Sequence, residues 1–126
     1  MKQDIKQVVS TLQQGGVVVL PTDTVYGLAV VPTDATAVKK IYTLKERPMS
    51  MFLPIMVAHI GQLEELGVDI NEPARKLLKS SLVPGGITFV LGFRPEAKKP
   101  EWLATRDEIA VRIPDNAFLL EVLEQT

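Results

Sequence analysis

Two hydrophobic periodicities alternate along this chain, and their alternation constrains its fold more than any other feature of the sequence. In residues 4–14 and 34–46 apolar side chains recur every three to four positions, which is typical of amphipathic helices. Residues 17–20 form a continuous apolar run, mostly of β-branched residues, which predicts a strand buried on both faces. Because helical and strand-like segments follow one another in this way, the sequence predicts a single α/β domain.

Glycine, proline and capping residues mark where the predicted elements begin and end. The pair Gly15 and Gly16 stops the first helix, Asp34 is a suitable N-cap for the second, and Gly67 closes the third. Pro48 disfavours helical geometry at the preceding residue, so the second helix is expected to end near residue 45 or 46. The spacing of its apolar residues predicts that Leu44 is buried with the others. The predicted helices cover 4–14, 34–46, 60–66, 72–79 and a last segment capped by Asp115; the predicted strands cover 17–20, 26–31, 53–57, 87–91 and 109–113, and 94–107 is a polar loop.

Composition excludes several kinds of chemistry. The chain has 126 residues, which is enough for one domain with its own core. It has no cysteine, which excludes disulfides, thiolate zinc sites and cysteine nucleophiles. Its one histidine, His59, cannot form a multi-histidine metal site and is expected to help start a helix. The balance of 14 basic and 15 acidic residues, a net charge of -1, argues against a strongly basic nucleic-acid module.

The sequence shows no targeting or membrane-spanning segment. Lys2, Asp4 and Lys6 interrupt any apolar signal region near the N-terminus. The longest apolar run, residues 52–58, is too short to cross a bilayer. We therefore expect a cytoplasmic protein that does not associate with membranes.

The densest group of polar side chains follows the predicted strand 17–20. Thr22, Asp23, Thr24 and Tyr26 lie within one short turn, where α/β proteins place ligand-binding groups. The alternative is a polar turn in which these side chains bond only to their own backbone.

The most basic local stretch ends the second predicted helix. No Gly-rich phosphate-binding motif is present, so any phosphate must be bound by side chains. Lys45 and Arg47 project to the same side of an extended segment and suit a polyphosphate. The alternative is a solvated helix end, where the helix dipole favours cations without any ligand.

A third candidate joins two later stretches, 84–88 and 111–114. Gly85 and Gly86 permit close approach of the backbone to a ligand. Arg112 is a charged residue in an apolar strand, and a buried guanidinium needs an anionic partner. That partner is either a ligand or a core carboxylate such as Asp23.

Taken together, these stretches resemble the YrdC family, whose enzymes are L-threonylcarbamoyladenylate synthases. The resemblance covers nearly the whole chain and rests on four motifs in the expected order. They are GGVVVLPTDTVYGL (15–28), the helix that ends in KERP (45–48), PGGITFVL (84–91) and IAVRIP (109–114). The resemblance implies a YrdC-like twisted open mixed sheet flanked by helices, in a single domain.

The resemblance also implies a nucleotidyltransferase reaction. L-Threonine captures bicarbonate as a carbamate, which attacks the α-phosphate of ATP and releases pyrophosphate and threonylcarbamoyl-AMP. Partner proteins of the pathway then transfer the threonylcarbamoyl group to adenosine 37 of tRNA. Mg²⁺ is expected to enter with ATP, and we assign no protein ligand to it.

Roles for individual residues follow from the same resemblance. Lys45 and Arg47 are expected to bind the nucleotide phosphates and to be the catalytic residues, and Thr22 is expected to touch the nucleotide. The residues expected to surround L-threonine are Thr24, Tyr26, Thr88 and Arg112, with Arg112 binding the carboxylate.

The chain departs from the family pattern in three places. Met51 and Phe52 replace a polar residue and a proline, and Gly86 replaces a second proline in the third motif. Residues 1–126 also lack the Ser-x-Asn segment that contacts the nucleotide in the family.

That missing segment leaves two alternatives open. One is a non-catalytic YrdC-like domain that binds double-stranded RNA, tRNA or a protein partner. The other is a homo-oligomer in which a second copy covers an exposed sheet edge.

Overall fold

The structure, a computed structural model, describes residues 2–22, 26–46, 53–99, 101–103 and 106–126. Helices and strands alternate along these residues, which confirms the predicted α/β class. The helices are α1 (Lys2–Gln13), α2 (Ala35–Leu44), α3 (Ile60–Glu65), α4 (Glu72–Leu78) and α5 (Ala117–Gln125), with a 3₁₀ turn at Glu101–Leu103. The strands are β1 (Val18–Pro21), β2 (Tyr26–Ala29), β3 (Ile55–Met56), β4 (Val68–Asp69), β5 (Phe89–Phe93) and β6 (Glu108–Arg112).

These strands form a hairpin and a mixed sheet. β1 and β2 pair antiparallel, with Val18 opposite Ala29. The larger sheet has the order β3-β6-β5-β4, in which β3 and β6 run parallel and the other pairs run antiparallel. β3 therefore lies at an edge of this sheet and begins directly after Pro54, a residue whose nitrogen cannot donate to a strand ladder.

The larger sheet buries one face against α3, α4 and the 3₁₀ turn. Strand side chains alternate between faces, and β5 and β6 turn Phe89, Leu91, Ile109 and Val111 into this first core. Leu63 of α3 is fully buried there, at 0% exposure. The opposite face of the same strands therefore carries the intervening residues, among them Arg112.

A second core lies where α1, β1 and α5 meet. It contains Val9, Leu12, Leu20, Leu119 and Val122. β3 connects the two cores, because Ile55 and Val57 pack into the first while Met56 packs against the second.

Local capping explains where most helices begin. The Asp34 carboxylate accepts a hydrogen bond from the Ala37 N–H at 3.0 Å, which confirms Asp34 as the N-cap of α2. The predicted cap of the last helix was wrong by one residue: Asn116, not Asp115, accepts from the Leu119 N–H at 3.0 Å. An Asn side chain caps as well as an Asp, so local preference alone did not distinguish these neighbours.

Two glycines end helices as the sequence predicts. Gly15, after α1, has φ +82°, and Gly67, after α3, has φ +81°. Both lie in the left-handed region that glycine adopts without the steric cost of a side chain.

Other predictions needed correction. The run 17–20 is not buried on both faces: Val19 is 63% exposed, because β1 belongs to a hairpin rather than to the interior of a large sheet. Leu44, predicted to be buried, is also 63% exposed, because it is the last residue of α2. β5 begins at Phe89, two residues later than expected. None of the helices in the described part of the chain is long and apolar enough to cross a membrane.

Candidate functional site

β5 and β6 bring two of the predicted site residues, Thr88 and Arg112, to one face of the larger sheet. Phe89 pairs with Val111, and both side chains point into the first core. Thr88 directly precedes Phe89 and Arg112 directly follows Val111, so alternation of side chains along each strand predicts that both point to the opposite face. Thr88 is exposed and Arg112 is half-buried, so a hydroxyl and a guanidinium lie at the same accessible end of the ladder.

The turn before β5 binds the Arg112 side chain through a backbone carbonyl. Arg112 Nε donates a hydrogen bond to the carbonyl oxygen of Gly85 at 3.0 Å. The N–H of Gly85 donates to the carbonyl oxygen of Ile113 at 2.9 Å. The third and fourth sequence motifs therefore meet through Gly85. The two Nη atoms of a guanidinium form a fork whose geometry matches a carboxylate.

The hairpin carries the candidates from the first motif. Thr22 follows β1 directly and is half-buried. Tyr26 begins β2 and pairs with Pro21 across the hairpin, so both residues lie at the end where the chain turns. Thr24 and Asp23 lie outside the described residues, so the predicted role of Thr24 and the alternative Asp23 partner for Arg112 stay predictions.

The cationic candidates lie at and beyond the end of α2. Lys45 is exposed and forms the C-cap of this helix, with its N–H donating to the Ile41 carbonyl at 3.0 Å. Glu46 follows in the left-handed region, at φ +51°, so Lys45 and Glu46 do not form the extended segment that the sequence predicted, because the helix ends in a turn. A lysine at this position is stabilised by the helix dipole and also presents its charge to solvent. Arg47 lies outside the described residues, and its role stays a prediction.

The described residues contain no group of three or more His, Asp or Glu side chains that could hold a metal ion. A magnesium ion that enters with a nucleotide does not need such a group, because Mg²⁺ is usually held by phosphate oxygens, waters and at most one or two carboxylates. The expected Mg²⁺ is therefore compatible with the chemistry of these residues.

His59 lines an open cleft of about 370 Å³, whose other lining residues include Pro84 and Ile113, the chain neighbours of Gly85 and Arg112. It is the N-cap residue of α3, which confirms that it starts a helix, although its side chain makes no capping hydrogen bond. Its Nε2 lies 3.3 Å from Glu124 Oε1 on α5. The cleft lining combines four separate segments: Ala58–Gly61, Leu78, Val83–Pro84 and Ile113. No single stretch of sequence carried a signal for it.

The described geometry also reveals a contact that the sequence reasoning missed. Gly85 and Gly86 were interpreted as allowing a ligand to approach the backbone, whereas Gly85 makes its close contacts with the protein itself. The sequence signal for this turn was the run Pro84-Gly85-Gly86, and the structure shows a cis peptide bond between Val83 and Pro84.

Comparison with known proteins identifies what the chain is similar to. The family model Sua5_yciO_yrdC, described as telomere recombination, matches residues 10–126. A threonylcarbamoyl-AMP synthase of Bacillus subtilis (strain 168) is 37% identical over 122 residues, which are 97% of this chain and 35% of that protein. A protein of the same name from Enterobacter sp. (strain 638) is 34% identical over 123 residues, which are 95% of this chain and 63% of that protein.

A solved structure gives the same relationship in three dimensions. The crystal structure of P. abyssi Sua5 complexed with L-threonine matches with a TM-score of 0.87 and 33% sequence identity, over 99% of this chain and 36% of that one. This match confirms the single α/β domain with a curled mixed sheet. The chain spans only 35% and 63% of the length of the two curated relatives.

Proposed function

This chain belongs to the Sua5/YciO/YrdC family, and from that premise we propose that it synthesises threonylcarbamoyl-AMP from L-threonine, bicarbonate and ATP. The observation that carries the proposal is that Thr88 and Arg112 both adjoin Phe89 and Val111, the last pair of the β5–β6 ladder, at an accessible end of the sheet. A hydroxyl beside a guanidinium suits a small hydroxy amino acid. The printed names of the two relatives, both threonylcarbamoyl-AMP synthases, support the same reaction.

Arg112 would bind the carboxylate of L-threonine through its Nη fork, because a bidentate guanidinium–carboxylate pair fixes both position and orientation. Thr88, Thr24 and Tyr26 would contact the rest of the amino acid. In this arrangement the substrate amine is held at a defined place and reacts with bicarbonate, losing water to form a carbamate. Positioning of this kind converts a collision between two solutes into a step within one complex.

The second step would be substitution at the α-phosphorus of ATP. A carbamate oxygen attacks the phosphorus, the bond to the bridging oxygen breaks, and pyrophosphate leaves. Phosphoryl substitution needs alignment and charge neutralisation more than a protein nucleophile. Lys45 and Arg47 would supply that positive charge, with Thr22 at the nucleotide, and Mg²⁺ would neutralise further phosphate charge when bound with ATP. The product would serve partner proteins that modify tRNA.

The direct test is pyrophosphate release by the purified chain. We expect release that requires L-threonine, bicarbonate and ATP together, with Mg²⁺ present. Arg112→Ala should reduce threonine-dependent release at least about tenfold, since a charge-assisted hydrogen bond contributes about 1.5–3 kcal/mol.

Arg75→Ala is the matched control. Arg75 is also a half-buried arginine, but it lies on α4 and pairs with Glu64 at 3.8 Å. Its substitution should leave release unchanged. A folded sample that releases no pyrophosphate at saturating substrate would refute the proposed function for this chain.

A further inference from the structure

One residue, Gly85, fastens the turn before β5 to the end of β6. Its N–H donates to the Ile113 carbonyl at 2.9 Å, and its own carbonyl accepts from Arg112 Nε at 3.0 Å. The N–H and the carbonyl of Gly85 are therefore both hydrogen-bonded, and their partners, Ile113 and Arg112, are consecutive residues at the end of β6. Hydrogen bonds on both sides leave little freedom for the Gly85 carbonyl to move relative to Arg112.

The close packing inside this turn explains why residue 85 is a glycine. A Cβ atom at residue 85 would lie 2.8 Å from the carbonyl oxygen of Leu82, a backbone atom of the same turn. At that distance the turn must shift. Gly86 is different, because a Cβ atom there would meet nothing within 4 Å. Within this turn the steric requirement is therefore specific to residue 85. Gly92 of β5 offers a control outside the candidate site, because a Cβ atom there would lie 3.7 Å from its nearest neighbour, the carbonyl oxygen of Asp107.

We propose that Gly85 is a positioning residue for the amino-acid substrate, acting through Arg112. By accepting from Nε, its carbonyl sets the plane of the guanidinium before the substrate binds and aims the Nη fork at the substrate carboxylate. An arginine side chain has several rotatable bonds, so a side chain that is already oriented loses less entropy on binding. This inference rests on the proposed function, since it assumes that Arg112 binds a substrate carboxylate.

A double-mutant cycle between Gly85 and Arg112 tests the proposal. L-Threonine affinity is measured by titration calorimetry, and ATP affinity is measured on the same samples. We expect Gly85→Ala to weaken threonine binding about tenfold, the effect of losing one charge-assisted contact, while ATP affinity stays within about twofold. Gly92→Ala should leave both affinities within about twofold of wild type.

The result in the Arg112→Ala background decides how Gly85 acts. If Gly85 works through the guanidinium, Gly85→Ala in that background should change residual threonine affinity by less than about twofold. An equal tenfold loss in both backgrounds would overturn the inference, because it would show an effect that does not pass through Arg112. No loss from Gly85→Ala in the wild-type background would overturn it as well.

Failure of the proposed function gives a different result. A folded wild-type chain that does not bind L-threonine refutes the proposed function, and the role of Gly85 falls with it. If the wild-type chain binds L-threonine but the effects of Gly85→Ala and Arg112→Ala on its affinity are additive, only the role of Gly85 is refuted.

A measurement on the wild-type chain keeps the inference testable if Gly85→Ala does not fold. In a ¹⁵N NMR spectrum the Arg112 Nε–H should give a slowly exchanging signal before any ligand is added, assigned by its loss in Arg112→Lys, which has no Nε–H. A signal that is protected only after L-threonine is added, or that is never protected, would contradict orientation of the side chain in advance.

Discussion

Replacement of Gly15 by alanine should destabilise the junction between α1 and α2, and the structure separates the two reasons. Gly15 has φ +82°, and a side chain in this left-handed conformation costs about 1–2 kcal/mol. A Cβ atom there would also lie 2.7 Å from Asp34 Oδ2. Displacing that carboxylate breaks its 3.0 Å cap on the Ala37 N–H, which costs about 1 kcal/mol. The two effects together predict a loss of about 2–3 kcal/mol.

The same geometry predicts that Gly15→Ala and Asp34→Ala are not additive. Asp34→Ala alone removes the cap, at about 1 kcal/mol. In that background Gly15→Ala has no carboxylate to displace, so it should cost only the backbone term of about 1–2 kcal/mol. The double variant should therefore be about as stable as Gly15→Ala itself, roughly 1 kcal/mol more stable than the sum of the single changes.

Denaturant unfolding followed by tryptophan fluorescence measures these differences. Trp102 is the one tryptophan of the chain, and its Nε1 donates to the Pro32 carbonyl at 2.8 Å, next to the start of α2. Circular dichroism on the same samples checks that unfolding is a single transition. Additive losses, or a loss below about 1 kcal/mol for Gly15→Ala, would refute the reasoning.

Three further predictions concern the core, the α3–α5 contact and the nucleotide site. Leu63→Ala should lower the free energy of unfolding by about 2–5 kcal/mol, because this side chain is 0% exposed; a loss below about 1 kcal/mol in denaturant unfolding would contradict the assigned core. Gln62→Leu should cost about 1–3 kcal/mol in the same measurement, because it removes main-chain hydrogen bonds of 2.6 and 2.8 Å; a neutral result would show that they contribute nothing net. Lys45→Met should raise the KM for ATP about tenfold while the KM for L-threonine stays unchanged. The control is Lys39→Met, since Lys39 is also exposed and lies on α2. Equal effects of the two substitutions would show that Lys45 does not bind the phosphates.

Features that depend on a few neighbouring residues were predictable from the sequence. The N-cap at Asp34 and the helix ends at Gly15 and Gly67 are confirmed because each is an interaction within about four residues of chain. The strand 109–113 was also close to the observed β6, since its alternation of apolar and other side chains matches a sheet with one buried face.

Features that depend on distant segments were not predictable in this way. β4 has only two residues, Val68–Asp69, too few to show any periodicity, and it forms because β5 offers it a partner. The exposure of Val19 depended on which strands surround β1. In both cases the deciding contact comes from another part of the chain.

The candidate site shows the same division between local pattern and tertiary contact. The sequence by itself determined the α/β class, the approximate positions of the helices and the set of chemically suitable residues, because residue type and spacing act locally. Only the tertiary structure decided that Thr88 and Arg112 adjoin the same end of the β5–β6 ladder and that Gly85 holds Arg112, since a strand register and a hydrogen bond across 27 positions require the sheet to be assembled.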